Sequence, residues 1–341
     1  MSDLSYSELM SKIVEESKKQ NKIIQVDYEL TSHCNFRCKF CYVSNKYSVY
    51  DKQLSTDDWK QIIKESFDLG VVSCNFTGGE AITRCDYKEL YQYAYDIGMR
   101  ITALSNGYGI DEELIQFYSK RIPELISITL YGGCDETYEK ICGIKDGFSK
   151  VKNNINKLVK NNIPVSLKIS ATPDISLNEY EAVSKFCKEL GLKIALVKYI
   201  SPMRTKESEM KMEWRLSAEK IKEIMKILDD PETTIIGNRH KERGMFECGF
   251  ARNRFAVSHK GEIYGCLGCV GLSKVYQKNK LANQIKELRK EADELSNKMK
   301  MCINCENAPT CNKCPGLIYS ETGGFDKCSE YIKSLVNKRV L

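Results

Sequence analysis

The chain has 341 residues, 42% hydrophobic and 29% charged, so it can bury a sizeable core and is neither a stapled miniprotein nor a disordered segment. Its formal charge of +6 comes from 52 Lys and Arg against 46 Asp and Glu, spread along the chain rather than gathered in an arm, which permits nucleic acid without implying it. The first twenty residues lack the apolar run of a secretion signal, and no stretch approaches the roughly 18 apolar residues of a membrane span, so a cytoplasmic protein with no membrane and no nucleic-acid partner is expected.

In chain order, residues 1–22 read as a helical segment and 23–230 as an α/β unit. IIQVDYEL, from Ile23 to Leu30, opens a series of β-branched runs that continues with VVSCNF, RITALS, LISITLY, IPVSLKISAT and KIALVKYI. Amphipathic stretches such as TDDWKQIIKESFDLG and FSKVKNNINKLVKNN lie between them. These six strand-then-helix beats, the sixth helix over Ser217 to Leu228, argue for parallel strands with crossover helices; an open sheet and an incomplete barrel share the pattern. Residues 231–247 read as a connector, and 248–341 as a second, cysteine-crowded module. In it, RFAVSHKGEIYG predicts a hairpin about Lys260 and Gly261, and Val275 to Lys300 a charged helix with a solvated face.

Sixteen cysteines in a reducing compartment point to metal or redox chemistry rather than disulfides. With only His33, His240 and His259 as partners, any metal site must be nearly all thiolate, which favours zinc or iron–sulfur. Cys34, Cys38 and Cys41 follow the first strand at its carboxyl end, where parallel α/β folds place their chemistry. Three such thiolates can hold three irons of a cubane and leave the fourth open, or three positions of a zinc tetrahedron beside His33. Thr77-Gly78-Gly79-Glu80 follows the second strand. Its glycines permit close backbone approach to a ligand and Glu80 offers a carboxylate to a cation, although a plain turn reads the same locally.

Cys-x3-Cys-x2-Cys after strand one, with Phe40 just before the third cysteine and Gly78-Gly79-Glu80 after strand two, resembles the radical S-adenosylmethionine superfamily. The resemblance implies an incomplete (β/α)6 TIM-type barrel and a four-iron cluster on Cys34, Cys38 and Cys41. Its open iron chelates S-adenosylmethionine, whose adenine meets Phe40 and whose ammonium meets the Gly-Gly-Glu motif. Ser105-Asn106 after strand three, Thr129 on strand four and Lys168 on strand five are further candidate contacts to that ligand; a strand hydroxyl and a snorkelling lysine are the plainer readings of the last two.

The pattern Cys248-x12-Gly261-x4-Cys266, then Cys302-x2-Cys305-x5-Cys311-x2-Cys314, then Cys328, is similar to the SPASM extension of that superfamily, which houses two auxiliary four-iron clusters. Its departure is the two residues between Cys311 and Cys314, where relatives usually have three. The resemblance implies that Cys302, Cys305, Cys311 and Cys328 bind the distal cluster and Cys248, Cys266 and Cys314 the nearer one. That leaves the nearer cluster with an open iron or with Cys269 as its fourth ligand; zinc in two ribbons of four thiolates is the competing reading. Of the remaining cysteines, Cys74 and Cys187 read as small core residues and Cys85 and Cys142 as loop thiols without obvious partners. Cys134, after Gly132-Gly133 at the mouth of strand four, reads as an exposed thiol or as a hydrogen donor to a substrate radical.

Enzymes of this architecture mostly modify peptides or proteins. The expectation is therefore a maturase of a ribosomally made precursor peptide that forms a thioether or carbon–carbon crosslink. It would use three four-iron clusters, S-adenosylmethionine and an electron donor such as flavodoxin or ferredoxin. Only 33 residues precede Cys34, too few for a peptide-recognition domain, so a separate leader-recognition protein is a candidate partner. The alternatives are an epimerase with Cys134 or Cys269 as hydrogen donor, a formylglycine-forming sulfatase maturase, and a zinc-stabilised binding module. Leu267 stands where sulfatase maturases usually carry an acid.

Overall fold

The β-branched runs become six parallel strands: β1 (Gln25–Thr31), β2 (Ser73–Gly78), β3 (Arg100–Ser105), β4 (Leu125–Leu130), β5 (Val165–Ser170) and β6 (Ile194–Val197). They lie side by side in sequence order in the computed structural model, which describes residues 6–43, 52–202, 212–230, 245–246, 248–298, 301–302 and 304–341. The intervening helices are α2 (Thr56–Asp68), α3 (Tyr87–Asp96), α4 (Glu112–Lys120), α5 (Asp135–Cys142), α6 (Gly147–Lys160), α7 (Leu177–Glu189) and α8 (Ala218–Ile227), after an amino-terminal α1 (Tyr6–Lys19). Ser55 with Asp58 and Ser176 with Glu179 start α2 and α7 as reciprocal capping boxes.

Alternation of side chains gives the sheet two different faces. On one, Tyr28 meets Trp59 of α2 at 5.7 Å between ring centroids and Phe76 meets Tyr91 of α3 at 6.1 Å, both edge-on. The other is polar: in the strand register Asp27 stands beside Asn75, Glu29 beside Thr77 and Thr129 beside Lys168. The fold is thus a partial TIM barrel of six β/α units, with apolar packing toward its helices and a polar face opposite.

The expected hairpin forms from β7 (Arg254–Val257) and β8 (Glu262–Tyr264), followed by β9 (Ser273–Val275). It does not stand apart. β7 pairs in parallel with β1, Gln25 beside Arg254, so one nine-stranded sheet runs β6-β5-β4-β3-β2-β1-β7-β8-β9 across the boundary expected at residue 248. Without β7 the long, buried β1 would present an open edge. Two expectations change. Val275 ends β9, and the charged helix α9 spans Leu281–Lys298, starting six residues later than expected. Cys142, expected as a loop thiol, lies in the last turn of α5, which Gly143 ends in the left-handed conformation at φ 74°. Most of the expected connector, residues 231–244 and 247, lies outside the described residues.

The carboxyl end adds α10 (Pro315–Thr322) and α11 (Glu330–Asn337). It is clamped to the barrel by a buried ion pair, Arg215 Nη2 to Glu321 Oε1 at 2.5 Å, with Tyr199 also donating to Glu321. The Arg215 guanidinium lies over the rings of both Tyr199 and Tyr331, which stack on each other. No helix among the described residues is long and apolar enough to cross a membrane.

Candidate functional site

Three loops meet at the carboxyl ends of β1, β2 and β3. Gly79 N donates to Thr31 O and Glu80 N to His33 O, each at 2.7 Å. A Cβ on Gly78 would lie 2.2 Å from Thr31 O, and one on Gly79 2.2 Å from His33 O. The close approach these glycines permit is therefore to the cysteine-bearing loop itself, whereas their sequence reading was approach to a ligand.

Glu80 is 1% exposed. Its Oε2 accepts from Asn106 N at 2.6 Å, while Oε1 is buried with no hydrogen-bond partner among the described residues. Burial pushes its pKa up to about 7, against the pull of Asn106 N and the Ser105 hydroxyl. A buried carboxylate oxygen left open in this way suits an ammonium group. Asn106 also donates from Nδ2 to Asn35 Oδ1 at 2.7 Å and lies 3.8 Å from Cys34 Sγ. The motifs after strands two and three are thereby joined to the first cysteine.

Cys34 Sγ accepts from Phe36 N at 3.4 Å. Burial pushes the Cys34 thiol up to about 12, and the nearby charges of Glu80, Cys38 and Cys41 push the same way. Such thiols ionise only when a cation takes up their charge, as iron or zinc does. Among the described residues no three His, Cys, Asp or Glu side chains gather as donors to a single metal ion. His33 Nδ1 is engaged by Thr83 Oγ1 at 3.0 Å. Phe40 is buried between Tyr131 and Trp214, with ring centroids 6.0 and 6.2 Å away.

Two residues here were missed in the sequence. Cys142, read as a loop thiol, is fully buried in the last turn of α5 with its Sγ 3.6 Å from Cys38 Sγ. The loop amides of Arg37 and Lys39 donate to the terminal carbonyls of α5, Cys142 O and Ile141 O, at 3.0 Å each. The Cys142 thiol and burial hold the Cys38 thiol well above its ordinary pKa, and the Tyr131 hydroxyl, hydrogen-bonded to Cys38, pulls only partly the other way. Nothing local in the sequence links residue 38 with 131 or 142.

Further along the sheet, Thr129 and Lys168 are register neighbours on the polar face. Cys134 is half-buried at the start of α5, 3.3 Å from Thr137 Oγ1 and 3.5 Å from Glu179 Oε1, the oxygen that also accepts from Gly133 N at 3.0 Å. Cys74 and Cys187 are buried in β2 and α7, and Cys85 is exposed, as their patterns indicate.

The C-terminal cysteines surround a cavity of about 1200 Å³ lined by Cys248, Cys302, Cys305, Cys311, Cys314 and Cys328. Their mutual electrostatics divide them into two sets. Cys302, Cys305, Cys311 and Cys328 act on one another. Cys248, Cys266 and Cys314 form the second set, and all three act on Cys269, which is 1% exposed. The sets touch where Cys311 acts on Cys314.

Residues 28–187 match the model of the Radical SAM superfamily. That match spans 160 of the 341 residues, from β1 to the last turn of α7. The chain is 25% identical to the AdoMet-dependent heme synthase of Methanosarcina barkeri over 88% of its own length and 93% of that protein. It is 30% identical to the sporulation killing factor maturation protein SkfB of Bacillus subtilis over 49% of its own length, but spans only 40% of that protein. Among solved structures, SuiB of Streptococcus suis bound to S-adenosylmethionine covers 97% of this chain, with 84% of its own chain covered, at TM-score 0.70 and 14% identity. The native anSMEcpe structure with bound AdoMet covers 93% here and 95% of its own chain at TM-score 0.67 and 19% identity. These two likenesses extend the shared fold past the matched region to nearly the whole chain.

Radical SAM proteins are enzymes that bind a four-iron cluster and S-adenosylmethionine. In the matched region the cysteine loop, the open Glu80 oxygen and Asn106 are the chain's own groups whose chemistry suits such a pair.

Proposed function

We propose that this protein is a radical S-adenosylmethionine maturase that crosslinks a precursor peptide, with one cluster on Cys34, Cys38 and Cys41 and two auxiliary clusters in a SPASM-type module. When bound, the first cluster and its nucleotide supply one-electron chemistry able to take a hydrogen atom from an unactivated carbon. The chain's own part is to fix the loop, accept the methionyl ammonium on Glu80 Oε1 and offer the polar sheet face with Thr129 and Lys168. The observation that carries the reading is the open Glu80 carboxylate oxygen, buried where the cysteine loop, the Gly-Gly-Glu turn and the Asn106 turn meet.

Sorting of the C-terminal thiols into two sets supports a distal cluster on Cys302, Cys305, Cys311 and Cys328, and a nearer one on Cys248, Cys266 and Cys314. Cys269 then completes the nearer set, and its burial keeps it from serving as a hydrogen donor to a substrate arriving from solvent. Cys134, half-buried beside Glu179, remains the candidate donor for an epimerase. A peptide substrate is favoured because solved neighbours of the same fold hold the precursor peptide SuiA and the peptide Kp18Cys. The M. barkeri relative's name points instead to a heme precursor.

Anaerobic reconstitution should load about twelve irons per chain, as three four-iron clusters require. With reductant, S-adenosylmethionine and a candidate precursor peptide, a product lighter by two hydrogens supports the crosslink. An unchanged mass with an inverted centre indicates epimerisation, and a thiol turned aldehyde indicates formylglycine. Turnover of a heme precursor with the peptide untouched overturns the peptide reading. Cys38→Ala should abolish S-adenosylmethionine cleavage, and full cleavage by that variant overturns the assignment of the triad.

A further inference from the structure

Lys313 is a charged group that the reading above leaves without a role. Its side chain is 2% exposed, among the most deeply buried in the chain. It lines the C-terminal cavity beside Cys302, Cys305, Cys311 and Cys328. Its backbone stands in the left-handed region at φ 47°, and its amide donates to Cys311 Sγ at 3.3 Å, which holds the short turn between Cys311 and Cys314. Burying an ammonium is costly, and anionic groups close by offset that cost. Iron-bound thiolates are such groups.

We infer that Lys313 is a positioning residue for the distal cluster, whose buried ammonium makes that cluster easier to reduce and so marks it as the electron acceptor of the reaction. The inference rests on the three-cluster reading. Forming a crosslink removes two hydrogens from the peptide: one leaves as an atom taken up by the nucleotide fragment, the other as a proton to solvent and an electron to the cluster. Each added electron makes the cluster more negative, and a cation held in a low-dielectric interior stabilises the reduced form more than the oxidised one.

Lys333 supplies the contrast. It lines the same cavity and acts on Cys328, but its side chain is 39% exposed and paired with Glu330 at 2.6 Å, where solvent screens it.

The test is a redox titration of the reconstituted holoenzyme, followed by electron paramagnetic resonance, in the wild type and in Lys313→Gln, Lys313→Arg and Lys333→Gln. With about twelve irons retained, Lys313→Gln should make reduction of one cluster at least tenfold less favourable, about 59 mV for one electron. Lys313→Arg should keep the wild-type potential, and Lys333→Gln should move it far less. Unmoved potentials in Lys313→Gln at full iron content overturn this inference alone, as does an equal shift in Lys333→Gln. Should Lys313→Gln lose a cluster, Lys313→Arg decides: full iron at the wild-type potential supports the charge, and loss in both variants overturns it. A wild type holding only about four irons overturns the three-cluster reading together with this inference.

Discussion

The loop carrying Cys34, Cys38 and Cys41 is tied to distant parts of the chain, whereas the turns carrying Cys302, Cys305 and Cys311 are bonded mostly to themselves. In the first, amides near the cysteines reach the last turn of α5, about a hundred residues away, and the glycine turn after β2 grips Thr31 and His33. In the second, the described backbone bonds are local: Ala308 N to Cys305 O, Thr310 N and Cys311 N to Asn307 O. The barrel therefore shapes its cysteine loop by its own contacts, while under the proposed three-cluster reading the C-terminal turns would depend on metal to hold them, as small metal domains do. The Arg215–Glu321 pair is one buried tie between the C-terminal helices and the barrel, alongside the β1–β7 pairing.

Stripping iron with a chelator should break this contrast open. Amide exchange in residues 304–314 should lose protection by up to about 10 kcal/mol, the scale of structural metal sites, while β1 to β4 keep theirs. Equal loss in both regions would refute the difference in preorganisation. Arg215→Met leaves the fully buried Glu321 side chain unpaired and should cost about 3–5 kcal/mol in urea unfolding. Arg215→Met with Glu321→Leu should cost less than the single variant, because no charge is then stranded.

The smallest effect concerns the cost of preorganisation at Glu80. Its pKa of about 7 in the folded chain stands above the ordinary 4.5, so the folded state holds the proton more tightly than the unfolded one. In the protein without ligand, the contribution of Glu80 to stability should therefore be fully present below pH 4.5 and be lost, by at most about 3 kcal/mol, as pH rises through 7. Glu80→Gln should flatten that slope, measured by unfolding between pH 4.5 and 8. If S-adenosylmethionine meets Glu80, its binding should restore stability at the upper end in the wild type and not in the variant.

Much of this protein was legible in the amino-acid order. The strand and helix runs carry period-2 and period-3.6 signals within a single window, and Cys34-x3-Cys38-x2-Cys41 and Gly78-Gly79-Glu80 are local spacings, so the six β/α units and the first motifs could be read without coordinates, whereas barrel rather than open sheet rested on the family resemblance. The eight-residue α5 escaped notice because it is short and framed by Gly132, Gly133 and Gly143. Tertiary structure alone decided that Cys142 lies against Cys38, that β7 completes the edge of β1, that Cys269 is buried near Cys248, Cys266 and Cys314, and that Lys313 is buried rather than solvated. Each of these facts pairs segments remote in sequence or depends on what covers a side chain, and neither is encoded in the spacing of neighbouring residues.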